Sequence, residues 1–222
     1  TEFTTEVARF GHIAVMQWIR ARDPPCPWDK WACAAAAGNN QLHMMEWLRA
    51  QNPPCPWDEY TCKRAAQGNH PGMIRWLRAQ NPPCRWSSVA LCEAASMGHL
   101  EMVQCLRALD PPCPWGVYSI SNTAAEGHLG IIQWMRNQNP PCPWNEYAYI
   151  LAIERDHFEI IEWLQSQNPP CPWGHAVTIA AAKYKDLRVM KRLRAPNPPC
   201  PWNEYVCSIA AGNDDMALIQ WV

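Results

Sequence analysis

The chain reads as an all-α array of about eight stacked helix-turn-helix units, and three observations lead there. Pro-Pro-Cys-Pro-Trp or a close variant recurs with Cys26, Cys55, Cys84, Cys113, Cys142, Cys171 and Cys200, each 29 residues after the one before. Between consecutive motifs lie two stretches of helical character, the first rich in Ala and the second with apolar residues at helical spacing. A column of Gly, Asn or Asp separates the two. A helix pair this short cannot bury its apolar face alone, so successive pairs must stack, as in a solenoid.

The units fall at about 1–28, 29–57, 58–86, 87–115, 116–144, 145–173, 174–202 and an incomplete 203–222, one continuous array from 1 to 222. After each motif Trp comes Asp29, Asp58, Ser87, Gly116, Asn145, Gly174 or Asn203, expected to cap the first helix. That helix carries small residues such as Ala65 and Ala66 where a neighbour must approach closely. It is expected to end at Gly11, Asn40, Asn69, Gly98, Gly127, Asp156, Lys185 and Asp214, all but Lys185 being types that tolerate positive φ. In the second helix Leu100, Met102, Val103, Cys105 and Leu106 form an apolar stripe, with Glu101, Gln104 and Arg107 opposite. The Asn-Pro-Pro step ends it, because proline lacks the amide and disfavours the α region in the residue before.

The repeat explains the composition. Of 22 Pro only Pro71 and Pro196 lie outside the motif, and of 14 Trp all but Trp31 fall in two columns, the motif Trp and Trp18, Trp47, Trp76, Trp134, Trp163 and Trp221. With 48% hydrophobic residues the chain has too much to bury for disorder. No apolar run approaches the roughly 18 residues of a membrane span. A net charge of −1 gives no field drawing it to nucleic acid or anionic lipid, so neither partner is expected.

Ala94-Ala95-Ser96-Met97-Gly98-His99-Leu100-Glu101-Met102-Val103-Gln104-Cys105-Leu106 is similar to the core of the ankyrin repeat, as is the run from Ala124 to Leu129. The resemblance recurs in all units. It implies stacked helix pairs whose first helices and adjoining turns line a binding face. Where ankyrin units carry a hairpin finger, this chain has the shorter Pro-Pro-Cys-Pro-Trp connector, with Tyr60-Thr61-Cys62 where the family's opening motif would stand.

The resemblance makes the variable positions of that face the partner-binding candidates: Lys63, Arg64, Gln67, Glu93, Ser96, Met97, Ser121, Asn122, Glu126, Glu154, Arg155, Lys183 and Tyr184. The motif residues Cys26, Trp28, Cys55, Trp57, Cys84, Trp86, Cys113, Trp115, Cys142, Trp144, Cys171, Trp173, Cys200 and Trp202 are read as structural, the thiols buried and each Trp a staple on a helix or connector. The competing reading makes the Trp row an exposed ridge for another chain. Cys26/Cys33, Cys55/Cys62 and Cys200/Cys207 share a seven-residue offset that leaves an intra-unit disulfide open, but the Cys-x(2-4)-Cys spacing of zinc sites is absent. His12, His70, His99, His128 and His157 occupy one position, where the resemblance implies a loop brace. Arg20, Arg49, Arg78, Arg107, Arg136 and Arg194, interrupted by Gln165, are read as a ladder on the solvent side of the second helix, complementing its carbonyl end or forming an anion-binding stripe.

No catalytic signature is present, and no enzyme, metal or cofactor is expected. The leading expectation is a scaffold engaging a protein partner. The alternative is a structural subunit polymerising head to tail with copies of itself, through end-stacking candidates Met216, Leu218, Ile219, Trp221 and Val222. Thiol-based metal, haem or redox binding is third. Cysteines without a pairing framework lean toward an intracellular compartment, and a fibre would reverse that lean.

Overall fold

A computed structural model describes residues 1–184, 187–195, 199–201, 203–213 and 216–221. Among them every regular element is a helix, and consecutive helices pack on one another. The chain falls into two compact units, Thr1–Trp115 and Gly116–Val222. The first holds α1 (Glu2–Arg9), α2 (Ile13–Arg20), α3 (Lys30–Gly38), α4 (Leu42–Ala50), α5 (Glu59–Gln67), α6 (Pro71–Ala79), α7 (Ser88–Ser96) and α8 (Leu100–Ala108). The second holds α9 (Ser119–Ala125), α10 (Leu129–Arg136), α11 (Tyr147–Glu154), α12 (Phe158–Ser166), α13 (His175–Lys183), α14 (Leu187–Arg194), α15 (Glu204–Gly212) and α16 (Met216–Trp221). In each unit the odd-numbered helices pack in series, and each even helix packs on the odd one before it.

Small side chains set the odd-helix spacing: Ala32 and Ala34 to Ala37 are all buried, as are Ala65, Ala66, Ala94 and Ala95. The even helices supply the bulk, with Met44, Met45, Leu48, Met73, Ile74 and Leu77 fully covered. Caps fall mostly where expected. Asp29 accepts from the Trp31 amide (3.0 Å), Asp58 from Tyr60 (3.0 Å) and Asn203 from Tyr205 (3.1 Å). Two caps are corrected. Gly116 has no side-chain acceptor, and α9 starts only at Ser119, whose hydroxyl takes the Gly116 amide (3.1 Å). Asn145 still accepts from Tyr147, but a turn at Glu146 delays α11, so Glu146 holds the cap position.

All six described residues of the turn column have positive φ: Gly11, Asn40, Asn69, Gly98, Gly127 and Asp156. The amide that follows folds back to the helix, as when Gln41 donates to Ala36 and His70 to Ala65, satisfying carbonyls the helix end would otherwise strand. Lys185 and Asp214 lie outside the described residues. The histidine column then joins neighbouring pairs: Nε2 of His70, His99 and His157 lies 3.2, 3.2 and 3.0 Å from the carbonyl oxygens of Gly38, Gln67 and Ala125, at the end of the preceding odd helix.

The connectors place their prolines in solvent and their cysteines inside. Asp23-Pro24, Asn52-Pro53, Asn81-Pro82, Asp110-Pro111, Asn139-Pro140 and Asn168-Pro169 are cis. Cys55, Cys84, Cys113, Cys142, Cys171 and Cys200 are buried, whereas Cys26 is half-buried. Each connector amide binds the helix it follows (Cys55 N to Leu48 O, 3.0 Å). Five thiols reach back to the start of the odd helix, with Cys55, Cys84, Cys113 and Cys171 Sγ 3.3 to 3.4 Å from the carbonyls of Asp29, Asp58, Ser87 and Asn145 and Cys200 Sγ 3.6 Å from that of Gly174, whereas Cys142 Sγ lies 3.6 Å from the Pro143 carbonyl.

The arginine ladder needs correction. Arg20, Arg49, Arg78, Arg107, Arg136 and Arg194 are half-buried, and each donates from Nη1 to the carbonyl of its own connector Cys at 2.6 to 3.1 Å. The guanidinium carbons of Arg20, Arg49, Arg78, Arg107 and Arg136 lie 3.7 to 4.3 Å over Trp28, Trp57, Trp86, Trp115 and Trp144. A carbonyl held six residues downstream by the turn of the connector captures the cation that spacing alone assigns to solvent. The motif Trp is therefore neither wholly buried nor a free ridge. For Trp28, Trp57 and Trp144 one ring face takes the arginine, and the ring meets the next even-helix Trp edge to face, Trp47 at 6.0 Å, Trp76 at 6.3 Å and Trp163 at 6.2 Å. Trp202 lies outside the described residues.

Candidate binding groove

In the first unit the exposed faces of α1, α3 and α5 enclose a groove of about 480 Å³. Its floor is Ala34 and Ala35, and its walls are Thr1, Glu2, Thr5, Arg9, Trp31, Tyr60, Lys63, Arg64 and Gln67. The small floor residues create the depth, because any longer side chain there would fill it. Trp31 and Tyr60 stand in the first turns of α3 and α5, aimed by the Asp29 and Asp58 caps, and meet edge to face at 5.4 Å. Both keep substantial exposure, 45% and 40%.

Charges surround this aromatic pair. Lys30 Nζ donates to Asp58 Oδ2 (2.7 Å), which raises its pKa, and lies over both rings at 5.3 and 5.2 Å. Lys63 Nζ is 2.9 Å from Glu93 Oε1, and Gln67 Nε2 donates to Glu93 Oε2 at 2.6 Å. Burial pushes the Glu93 carboxyl up, but Lys63 and Gln67 together hold it below its ordinary value. Arg64 Nη1 donates to Gln67 Oε1 (3.1 Å), leaving most of its guanidinium outward. Arg9 is paired with Glu6 at 3.2 Å, while its buried Nε has no hydrogen-bond partner. Arg9 and Lys63 are thus matched by carboxylates, and Arg64 is the wall cation that presents most of its charge outward beside the two aromatic rings.

The sequence candidates divide. Lys63, Arg64 and Gln67 line the groove, and Glu93 holds two of them in place. Ser96 is half-buried, with its hydroxyl donating to the Glu93 carbonyl, and Met97 is exposed at the end of α7. In the second unit Asn122, Glu126, Glu154, Arg155, Lys183 and Tyr184 are exposed. Ser121 is a correction: it is 2% exposed, turned inward to donate to the Tyr118 carbonyl, and has no surface to offer a partner. Of the end-stacking residues Met216 and Ile219 are exposed, Trp221 is half-buried and Val222 lies outside the described residues. Leu218 is corrected to core, buried on the inner face of α16.

Trp31 and Tyr60 were not among the candidates, although a signal for them exists. Three residues after the motif Trp stand Trp31, Tyr60, Val89, Tyr118, Tyr147, Ala176 and Tyr205, an aromatic column broken twice. Tyr118 and Tyr147 repeat the edge-to-face contact in the second unit at 6.3 Å.

Among the described residues no cluster of three or more His, Cys, Asp or Glu is arranged to hold a metal, and no helix is long and apolar enough to cross a membrane. Comparison with known protein families and with curated proteins returned no match to this chain.

Proposed function

We propose that the chain is an ankyrin-like solenoid with a 29-residue period that acts as a non-enzymatic scaffold, binding a protein partner along its first helices. The observation that carries this reading is the groove over Ala34 and Ala35, with rigid aromatic walls and the outward guanidinium of Arg64. Trp and Tyr provide contact area at low conformational cost, and arginine adds planar hydrogen bonding, the combination enriched where proteins recognise one another. An extended segment bearing a carboxylate beside an apolar or aromatic residue fits it. The test is a displayed peptide library screened against the full chain, with bound peptides photo-cross-linked. Enriched peptides carrying Asp or Glu, cross-linked at the groove and lost on Arg64→Glu, support the proposal. Enrichment of basic peptides, or cross-links confined elsewhere, would overturn it.

A second reading, end-to-end self-assembly, draws support from exposed apolar side chains, Trp18 at 60% on α2 and Met216 at 57% on α16. Sedimentation across a wide concentration range separates the two. A constant single species removes the polymer, and concentration-dependent growth abolished by Met216→Lys favours it.

A further inference from the structure

In each pair that a connector closes, the odd helix places one residue against it. Those residues are Thr4, Cys33, Cys62, Leu91, Ile120, Tyr149 and Thr178, whereas Cys207, at the same repeat position, is exposed. The placement is visible where the side chain can bond. Thr4 and Thr178 donate to the Pro27 and Pro201 carbonyls at 3.2 and 2.9 Å, and the Tyr149 ring packs against Trp173 at 5.7 Å. In two pairs the position is a thiol. Cys33 Sγ lies 3.8 Å from the carbonyl of Cys55, 22 residues along the chain, and the neighbouring Cys55 side chain together with burial pushes the Cys33 thiol up. Cys62 stands in the same register to Cys84, 22 residues on, and the Cys84 side chain together with burial pushes its thiol up in the same way. All four residues have no exposed surface. The seven-residue offset visible in sequence, Cys26 with Cys33 or Cys55 with Cys62, is not the one that brings thiols together.

We propose that Cys33 with Cys55, and Cys62 with Cys84, are two oxidisable dithiol sites at which a small-molecule disulfide installs a covalent tie between odd helix and connector. One cysteine thiolate attacks the reagent disulfide and expels a thiolate, forming a mixed disulfide. The second thiolate attacks the protein sulfur of that mixed disulfide and releases the other half of the reagent. Two protein thiols lose two electrons and two protons, and the reagent gains both as two thiols. The pairs are covered, so the reagent enters when the connector lifts from the helix, and the bridges form more slowly than modification of exposed Cys207. Once formed, a bridge closes a 22-residue loop and restricts the unfolded chain.

The experiment incubates the full wild-type chain with oxidised glutathione, alkylates the remaining thiols and maps peptides without reduction. Expected are Cys33–Cys55 and Cys62–Cys84 bridges, each lighter by two hydrogens, with a thermal midpoint several degrees higher. Cys171 and Cys200 face Tyr149 and Thr178 at the corresponding place and should be recovered alkylated. Cys207 should carry glutathione, showing that the reagent acted. Cys33→Leu places at this position the residue found at Leu91, and it should delete the first bridge while leaving the second. Cys33, Cys55, Cys62 and Cys84 all recovered alkylated after Cys207 is fully modified, or Cys55 bridged to Cys62, would overturn the proposal.

Discussion

Replacing Arg49 with Gln, the residue found in this column at Gln165, tests whether the arginine ladder fastens the connectors. Arg49 Nη1 donates to the Cys55 carbonyl at 2.6 Å, and its guanidinium carbon sits 3.9 Å over Trp57. A hydrogen bond from a charged donor contributes roughly 1.5 to 3 kcal/mol, and a half-exposed cation–π contact about 0.5 to 1 kcal/mol. Both depend on one guanidinium, and water can reach the freed carbonyl beside exposed Pro56, so the expected loss is about 2 kcal/mol. Urea unfolding of the full chain measures it as a lower midpoint with unchanged slope. The Cys55 amide, bonded to Leu48, gives a local readout through faster hydrogen exchange. A loss below about 0.5 kcal/mol, with Cys55 exchange unaltered, would refute the reasoning and return Arg49 to the class of solvated surface charges.

Four further outcomes follow from the same structure. Gln165→Arg should add the missing clamp on the Cys171 carbonyl and Trp173, raising stability by about 1 kcal/mol in the same urea assay. Gly68→Ala puts a methyl 2.6 Å from the Gly38 carbonyl and 2.5 Å from His70 Nε2, so it should cost about 1 to 3 kcal/mol and shift the His70 ring resonances. Gly72→Ala meets nothing within 4 Å and should stabilise α6 by about 0.5 to 1 kcal/mol in the same thermal melts. The lowered pKa of Glu93 contributes stability fully present above its ordinary value of 4.5 and lost as pH falls through the lower folded value. Glu93→Gln should therefore show a shallower acid limb than wild type in denaturation curves collected across that range.

Local chemistry made the helices and turns legible. Asn40, Asn69 and Asp156 stand at positive φ because a helix reversal needs them there, and a 29-residue count is enough to find them. The buried alanines of α3 and the apolar stripe of α8 follow from periodicity in the same way. What hid were contacts whose partners lie at odd offsets. Arg49 reaches a carbonyl six residues on, and Cys33 meets the Cys55 carbonyl after a whole helix has intervened. Helical spacing covers neither, since the connector turns the chain between them. Part of the groove was legible in Lys63, Arg64 and Gln67, whereas Trp31 and Tyr60 belong to an aromatic column that Val89 and Ala176 interrupt, so a strict repeat count passes over it. Ser121 failed for the opposite reason: a polar side chain turned to its own helix backbone reads as surface until its burial is seen.

The outward prolines of the connectors bear on how such a chain avoids unwanted association. A stretch of extended backbone on a protein surface normally offers amide hydrogens that an incoming strand can pair with. In Pro53-Pro54-Cys55-Pro56 three of four residues have no amide hydrogen, and the one that remains is spent on Leu48. The carbonyl of Cys55 is likewise taken, by Arg49. A connector with all three prolines and the arginine clamp is therefore backbone with nothing left to seed a sheet, a guard against edge-to-edge aggregation that is relaxed only where Arg85 replaces proline and Gln165 replaces arginine.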